Sequence, residues 1–412
     1  MTELSFADRA RRLIAECRRI AAMSEEPGRI TRRFLSPPTR DVHTHLRSRM
    51  ESLGMTVSTD AAGNLRGLWQ LPGAAAERLV LGSHIDTVPN AGAFDGVLGV
   101  VMALEWVDLA LELKLHLPIE VIAFSEEEGV RFGVPFIGSR AVAGRFDPAL
   151  LKLKDADGTT LEDAIRAFGL DPARIGEAAL DPNAMGFVEI HIEQGPLLES
   201  EGLSVAAVTA IVGQTRLRFD FTGHANHAGT TPMNLRLDAL AGAAEFIATV
   251  ELLARQTDGL VATVGKIDVE PNAANVIAGV ARVSLDVRHS DDTTRQAAVE
   301  SLVAQAQTIA DKRGLSLQCA RQMDQPAVPM DERLTAYLAE SIEAAGFAVK
   351  RVSSGAGHDA MVMAARVPTA MLFLGSPGGI SHHPNETVLE DDVAAALRVC
   401  RNFMQRLAAE VG

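Results

Sequence analysis

Two hydrophobic rhythms share this chain, and no single layer of secondary structure accommodates both. The run Arg78 to His84 is nearly all apolar, as a strand covered on both faces would be. By contrast, Thr215 to Thr222 alternates strictly. Leu217, Phe219 and Phe221 fall on one face and Arg216, Arg218 and Asp220 on the other, which describes a half-exposed strand. The chain therefore divides into two architectures, and its 412 residues are also too many for one ordinary core.

The first architecture alternates strands with helices. Pro37-Pro38-Thr39 opens a helix that runs to about Leu53, with Gly54 ending it. Short strands are expected at Asn64 to Leu71, Arg78 to His84, Ile119 to Phe124 and Gly186 to Ile192, with a buried helix at Gly96 to Leu113. This order implies an α/β fold with a mainly parallel sheet flanked by helices, whose ligand site lies beyond the carboxyl ends of the strands. Between Gly213 and Gln325 the order becomes β-α-β-β-α-β. Its elements are Thr215–Thr222, a helix Asn234–Gln256, strands Leu260–Val269 and Val276–Arg288, a helix Asp292–Arg313 and a strand Leu315–Arg321. That order with single-faced strands predicts an inserted ferredoxin-like α+β domain at 213–325, set into a domain made of 1–212 and 326–412. Strands at Val349–Ser353 and Thr369–Leu374 resume the first pattern.

Composition narrows the partners. The net charge is −14 and no basic run stands out, which argues against nucleic acid or an anionic membrane surface. Cys17, Cys319 and Cys400 are odd in number and far apart, so a reducing compartment is expected rather than a disulfide framework. Met1 to Ile20 lacks an apolar signal core, and no apolar stretch reaches the roughly 20 residues that span a bilayer. The expectation is a cytoplasmic protein.

Five local frames carry the chemistry: Gly82-Ser83-His84-Ile85-Asp86, Phe94-Asp95-Gly96, Ser125-Glu126-Glu127-Glu128-Gly129, His191-Ile192-Glu193-Gln194-Gly195 and Ser381-His382-His383-Pro384-Asn385-Glu386. His84, the acidic run and His191 each stand where a strand is expected to end. Together the frames supply imidazoles and carboxylates for two divalent metals, with one carboxylate to spare as a base. Asp95, a short carboxylate on a glycine-flanked loop, is assigned the bridge between the cations. Asp86, two residues beyond His84, is placed to hydrogen-bond the imidazole nitrogen that faces away from the metal. Three carboxylates crowded at one strand end repel one another unless cations neutralise them. One of them then ligates while a neighbour accepts a proton from the attacking water. One of His382 and His383 is surplus.

With these frames in hand, the chain resembles the dinuclear-metal amidohydrolases related to co-catalytic zinc aminopeptidases. Within them it looks most like the hydantoinase/carbamoylase branch. The resemblance runs from about Arg29 to the C-terminus, and it implies a role for each matching residue. His84 and His382 would ligate one side of the metal pair, Glu128 and His191 the other, with Asp95 bridging. Glu127 would be the general base and later proton donor, and Gln194 a substrate-binding residue. His382 is selected over His383 as the first histidine of the family's frame. In the inserted domain, Gly223 to Met233 matches the branch's lid motif, in which His227 stabilises the developing oxyanion. Asn275 and Arg288 resemble the residues that bind the substrate carboxylate, a role for which the planar guanidinium fork is suited. His358, in Gly355-Ala356-Gly357-His358-Asp359-Ala360, resembles a further substrate contact. Ala278 departs from the pattern, since the family has proline after Asn-Val-Ile.

What the resemblance implies is hydrolysis of a terminal ureido group on a small carboxylate-bearing substrate. N-carbamoyl-L-amino acids come first and allantoate second, with N-carbamoyl-β-alanine among the relatives' substrates. A peptidase or aminoacylase using the same metal pair ranks below these, because His191 and the lid motif mark the other branch. A catalytically silent metal-binding protein would be expected to lack Glu127. The cofactors implied are two divalent ions per subunit, Zn2+ or Mn2+ with Co2+ or Ni2+ accepted by the same donors. The partner implied is a second copy, docked through the inserted domain.

Overall fold

The computed structural model describes residues 4–72, 77–181 and 183–411. Its backbone divides into two compact units, Met1–Thr209 with Met330–Gly412 and, between them in sequence, Ala210–Pro329.

The first unit opens with α1 (Phe6–Ala21), capped by the Ser5 hydroxyl, which accepts the Asp8 N–H at 3.1 Å. Then comes α2 (Pro37–Ser52), which starts on two prolines and is followed by a left-handed Gly54. β1 (Thr56–Thr59) and β2 (Leu65–Trp69) form a hairpin. β3 (Leu79–His84), α3 (Val97–Glu112) and β4 (Ile119–Phe124) follow. The short helices α4 (Ile137–Val142) and α5 (Leu161–Ala167) precede β5 (Gly186–Ile192), α6 (Leu197–Glu201) and β6 (Val205–Ile211).

The second unit holds β7 (Gly213–Thr222), α7 (Ala239–Gln256), β8 (Val261–Thr263), β9 (Ile267–Glu270), β10 (Val280–His289), α8 (Asp292–Arg313), β11 (Ser316–Gln325) and the short β12 (Val328–Pro329). The chain then completes the first unit with α9 (Glu332–Ala344), β13 (Arg351–Ser354), α10 (Asp359–Met363), β14 (Thr369–Leu374) and α11 (Glu390–Val411).

The sheet of the first unit runs β1-β2-β4-β3-β5-β14-β6. At its heart β4, β3, β5 and β14 are parallel, while β1, β2 and β6 join antiparallel. The expected parallel sheet is thus its centre, with antiparallel wings. On one side the wing is a hairpin, whose short turn permits no parallel pairing. β3, β4, β5 and β14 are buried along their whole length, which explains their apolar sequences. α3 is buried on nearly every side and includes Glu105. That carboxylate is inaccessible and holds Arg9 of α1 at 3.1 Å and Arg12 at 2.6 Å. One buried acid therefore fastens two helices together.

In the second unit the sheet order is β11-β7-β10-β8, with β9 also on β10, and every pair is antiparallel. This is the ferredoxin-like arrangement expected from the element order. Leu217, Phe219 and Phe221 of β7 pack with Phe246 of α7 in a separate apolar core, the Phe219 and Phe246 rings 4.7 Å apart. Several boundaries differ from expectation, among them the strand expected to end at Arg321, which continues to Gln325. The helix expected from Asn234 begins at Ala239, because the Asp238 carboxylate caps it by accepting the Ala241 N–H at 3.1 Å. The strand expected over Leu260–Val269 breaks into β8 and β9 around Gly265. β10 starts at Val280 rather than Val276, because Val276 makes an isolated bridge with His227 instead.

Candidate metal centre

The parallel strands deliver the donors. His84 is the last residue of β3, Glu126–Glu128 follow β4, and His191 is the penultimate residue of β5. β3 lies between β4 and β5 in the sheet, so these side chains emerge side by side at one end of it. Asp95 comes from the loop before α3, and His382 from the loop between β14 and α11. Gly96, at φ +67°, closes the Asp95 loop against His84: a Cβ there would lie 2.5 Å from three atoms of the His84 ring. Glycine at 96 is what lets the loop approach that imidazole.

Three imidazole nitrogens converge on the Asp95 carboxylate. Nε2 of His84 lies 3.4 Å and Nε2 of His191 3.2 Å from Oδ1, and Nε2 of His382 lies 3.2 Å from Oδ2. His382 Nε2 is also 3.7 Å from Glu128 Oε1. The ring nitrogens that face away are engaged elsewhere, Nδ1 of His84 with the Asp86 carbonyl at 3.0 Å and Nδ1 of His191 with the Ile192 carbonyl at 2.9 Å. A neutral imidazole that donates through Nδ1 presents a lone pair at Nε2. A lone pair facing a carboxylate oxygen at this range is repulsive, so positive charge must stand between them, a proton or a cation. The donors group accordingly, with atoms of each set within 4.8 Å of one another: His84, Asp95 and His191 in one, and Asp95, Glu128 and His382 in another. The expected division, His84 with His382 and Glu128 with His191, is therefore corrected. Sequence order gave no hint of which loop reaches which oxygen.

Electrostatics repeat the demand for positive charge. Burial opposes protonation of His84, but the Asp86 and Asp95 carboxylates outweigh it and raise the imidazole well above its usual range. Burial raises Glu126 and Glu127 well above the ordinary carboxylate range and Glu128 to about 7, while the bond to Asp95 lifts His382 to about 9. His382 also adopts φ +56°, a left-handed backbone that a histidine takes only when its surroundings hold it there.

Asp86 acts differently from the expectation. Its carbonyl, not its carboxylate, is the closer partner of His84, with Oδ1 at 3.4 Å from Nδ1. The carboxylate accepts the backbone N–H of Glu127 at 2.9 Å and of Glu128 at 3.1 Å. Asp86 thus orients the acidic run through its carboxylate and the imidazole chiefly through its main-chain carbonyl. Glu127 itself belongs to a third set of neighbouring donors, with His84 and Glu128.

Gln194 spends its amide nitrogen on Asp95 Oδ2 at 2.9 Å and Ser381 Oγ at 3.1 Å, and its Oε1 meets no donor among the described residues. The Ser381 hydroxyl also donates to Asp95 Oδ2, at 2.8 Å. Ser381 was quoted in its frame without a role, since a serine five residues before a glutamate carries no signal of its own. His358 is the residue expected to meet substrate. It is 2% exposed, stacks edge-on against His191 with centroids 4.5 Å apart, and engages Ser354 Oγ at 2.9 Å.

In the second unit, His227 and Asn275 sit on loops laid against each other. Ala228 donates to the Asn275 carbonyl at 2.9 Å and Ile277 to the Asn226 carbonyl at 2.8 Å, around the His227–Val276 bridge. His227 Nδ1 accepts the Gly229 N–H at 3.0 Å, and both His227 and Asn275 are exposed. Arg288 lies on the polar face of β10, its Nε 2.8 Å from Asp286 Oδ1. Ala278 is buried, and its carbonyl accepts the N–H of Ala239 at the start of α7 at 3.1 Å.

Known proteins resemble this chain over most of its length. The model of peptidase family M20/M25/M40 matches residues 80–406. The chain is 38% identical over 384 residues to the N-carbamoyl-L-amino acid amidohydrolase of Geobacillus stearothermophilus, covering 92% of this chain and 94% of that one. It is 36% identical over 392 residues to the allantoate amidohydrolase of Escherichia coli, covering 93% and 94%. A crystal structure of a hydantoinase/carbamoylase family amidase from Burkholderia ambifaria matches with a TM-score of 0.90 at 33% identity, covering 97% of each chain.

Proposed function

Because the chain belongs to peptidase family M20/M25/M40, among its hydantoinase/carbamoylase amidases, we propose that it hydrolyses the terminal ureido C–N bond of a small carboxylate-bearing substrate. N-carbamoyl-L-amino acids are the first substrate class and allantoate the second, the two activities that its relatives' names carry. The observation that carries the reading is the convergence of three imidazole nitrogens on Asp95, with the Glu127 carboxylate within reach of the same centre.

The donor set fits two divalent cations. His84, His191 and Asp95 Oδ1 would hold one, and Glu128, His382 and Asp95 Oδ2 the other. Bound there, Zn2+ or Mn2+ (Co2+ or Ni2+ through the same donors) supplies Lewis acidity, which polarises a carbonyl and acidifies water to a pKa of about 7.

The chain's own groups do the rest. Glu127 takes the proton of the attacking water and returns it to the departing nitrogen. Gln194 offers its unpartnered Oε1 to a ureido N–H, a donor that the described residues do not provide. His227 stabilises the oxyanion, and Asn275 with the Arg288 fork takes the substrate carboxylate. Asp286, bonded to Arg288 Nε, keeps that fork in a fixed orientation.

A homodimer joined through the inserted unit belongs to the same reading. Its edge strands β8 and β9 expose Val261 and Ile267, and α7 exposes Leu252, an open apolar edge of the kind a second chain covers. A cytoplasmic location belongs to it too. No helix among the described residues is long and apolar enough to cross a membrane, and Cys17 and Cys400 are buried free thiols.

Ammonia release tests the proposal. Enzyme supplied with Mn2+ or Zn2+ is assayed on several N-carbamoyl-L-amino acids, allantoate and N-carbamoyl-β-alanine, with dipeptides and N-acyl amino acids as controls whose cleavage, which frees no ammonia, is followed by the amino acids released. Turnover of the ureido acids is expected. Cleavage of the controls alone would overturn the reading.

A further inference from the structure

A carboxylate outside the donor set is built into the same centre. Glu386 lies four residues beyond His382 and is 5% exposed. Its Oε1 accepts two backbone N–H groups from the distant loop, that of Phe94 at 2.8 Å and that of Asp95 at 3.0 Å. Its Oε2 is 3.3 Å from Ser381 Oγ, and that hydroxyl donates to Asp95 Oδ2 at 2.8 Å. One carboxylate therefore reaches Asp95 twice, at its main chain directly and at its side chain through Ser381.

The fit extends to the loop's backbone. At Gly92 a Cβ would stand 2.3 Å from Glu386 Cβ and 2.4 Å from its Cδ and Oε1. The loop passes beneath the Glu386 side chain at a distance that only glycine allows. Phe94 and Asp95 stand in a loop, without ladder partners for these N–H groups, and buried donors of this kind need acceptors. An acceptor could have been neutral. Here it is an acid set close to Asp95, where like charge is costly unless the bonds it makes are strong ones.

We infer that Glu386 is a positioning residue of the cation centre: it locks the Asp95 loop to the His382 loop so that Oδ1 faces His84 and His191 while Oδ2 faces His382. The inference rests on the metal-centre reading given above. Glu386 touches no substrate and is not offered as a donor to the cations. Its action is to fix the angle at which Asp95 presents its two oxygens. Glutamine at this position keeps an oxygen for both N–H groups, whereas alanine removes the acceptor altogether.

The test is Mn2+ titration of chelator-stripped protein by calorimetry, with apo-protein thermal unfolding recorded alongside. Glu386→Ala is expected to weaken Mn2+ binding about 10- to 100-fold, the range found when partners that orient metal ligands are removed. Glu386→Gln is expected to stay within a few-fold of the parent. Ser381→Ala, which cuts the side-chain route together with Ser381's own bonds to Asp95 and Gln194, is expected to fall between them, and it keeps the inference testable should Glu386→Ala fail to fold. Parent-like Mn2+ affinity in Glu386→Ala, or in Ser381→Ala where the first variant cannot be purified, would overturn the inference and leave the metal-centre reading standing. So would a Glu386→Gln variant as impaired as alanine. A parent protein that binds no Mn2+, Zn2+ or Co2+ would instead remove the metal-centre reading and this inference with it.

Discussion

The two units of this chain place polar groups by opposite means. In the first, strands buried on both faces carry His84 and His191 at their ends and a loop sets Asp95 beside them, all at most 5% exposed, with the exposed His382 as the exception. In the second, strands bury every other residue, and the groups of interest stand on loops or on the open face of the sheet, where His227 and Asn275 are exposed. The difference teaches where preorganisation comes from. In the first unit packing dictates the direction of His84, Asp95 and His191, and a lost group leaves a defect that nothing nearby repairs. In the second the groups are solvated, and under the proposed function they would contribute through binding.

Four experiments sharpen or break that contrast. The largest effect belongs to Asp95→Ala, which removes the carboxylate common to both donor sets. Activity is expected to vanish and metal analysis to show both cations lost; retention of either would mean the sets do not depend on a shared acid. Next, Glu127→Gln is expected to keep its cations while kcat falls about 10²- to 10⁴-fold, the usual share of general acid–base catalysis. Near-normal turnover would transfer the base to another group.

Arg288→Ala should be milder and of a different kind. KM for carboxylate substrates is expected to rise about 10- to 100-fold, or about 1.4–2.8 kcal/mol, with a small change in kcat. An unchanged KM would mean that the open face of β10 is not the carboxylate receptor. The last comparison is read in stability rather than activity and pairs one ion bridge from each unit. Glu105→Ala removes the acid shared by Arg9 and Arg12 while Asp108 and Glu112 still hold Arg9, and is expected to cost about 1.5–3 kcal/mol in denaturant unfolding. Arg216→Ala breaks a half-exposed contact to Asp286, 2.9 Å long, and is expected to cost about 1 kcal/mol or less. Equal costs would show that burial does not distinguish the two units.

Legibility in the sequence followed the same divide. β4, β5 and β14 begin and end where their sequences say, because an apolar run covered on both faces stops abruptly at its first polar neighbours; α8 of the second unit does so too, for a different reason, its ends being set by the Asp291 cap and by left-handed Gly314. α7 and β10 were misjudged at their starts. Asp238 as a cap and Val276 as a bridge partner of His227 are tertiary choices, which periodicity does not record. The antiparallel wings beside the parallel strands were equally silent, since the run into β6 differs little from any other apolar stretch.

At the centre, residue types pointed to chemistry, but directions were hidden. That Asp86 would turn its carboxylate toward two backbone N–H groups, and that His358 would lie beneath His191, depend on loops meeting from distant parts of the chain. Glu386 stood in plain view within its frame. Only the folded loop at Gly92 shows what it holds.

Phe94 and Asp95 receive their Glu386 bonds across separations of 292 and 291 residues, with the whole inserted unit translated in between. At ribosomal rates of about 5–20 residues per second, roughly a quarter of a minute to a minute passes before Asp95 can meet that partner. Throughout that interval the nascent chain displays His84, Asp95 and Glu128 without His382. A cation that needs both Asp95 and His382 would therefore be seated late in the life of each new polypeptide, after most of its residues have been translated.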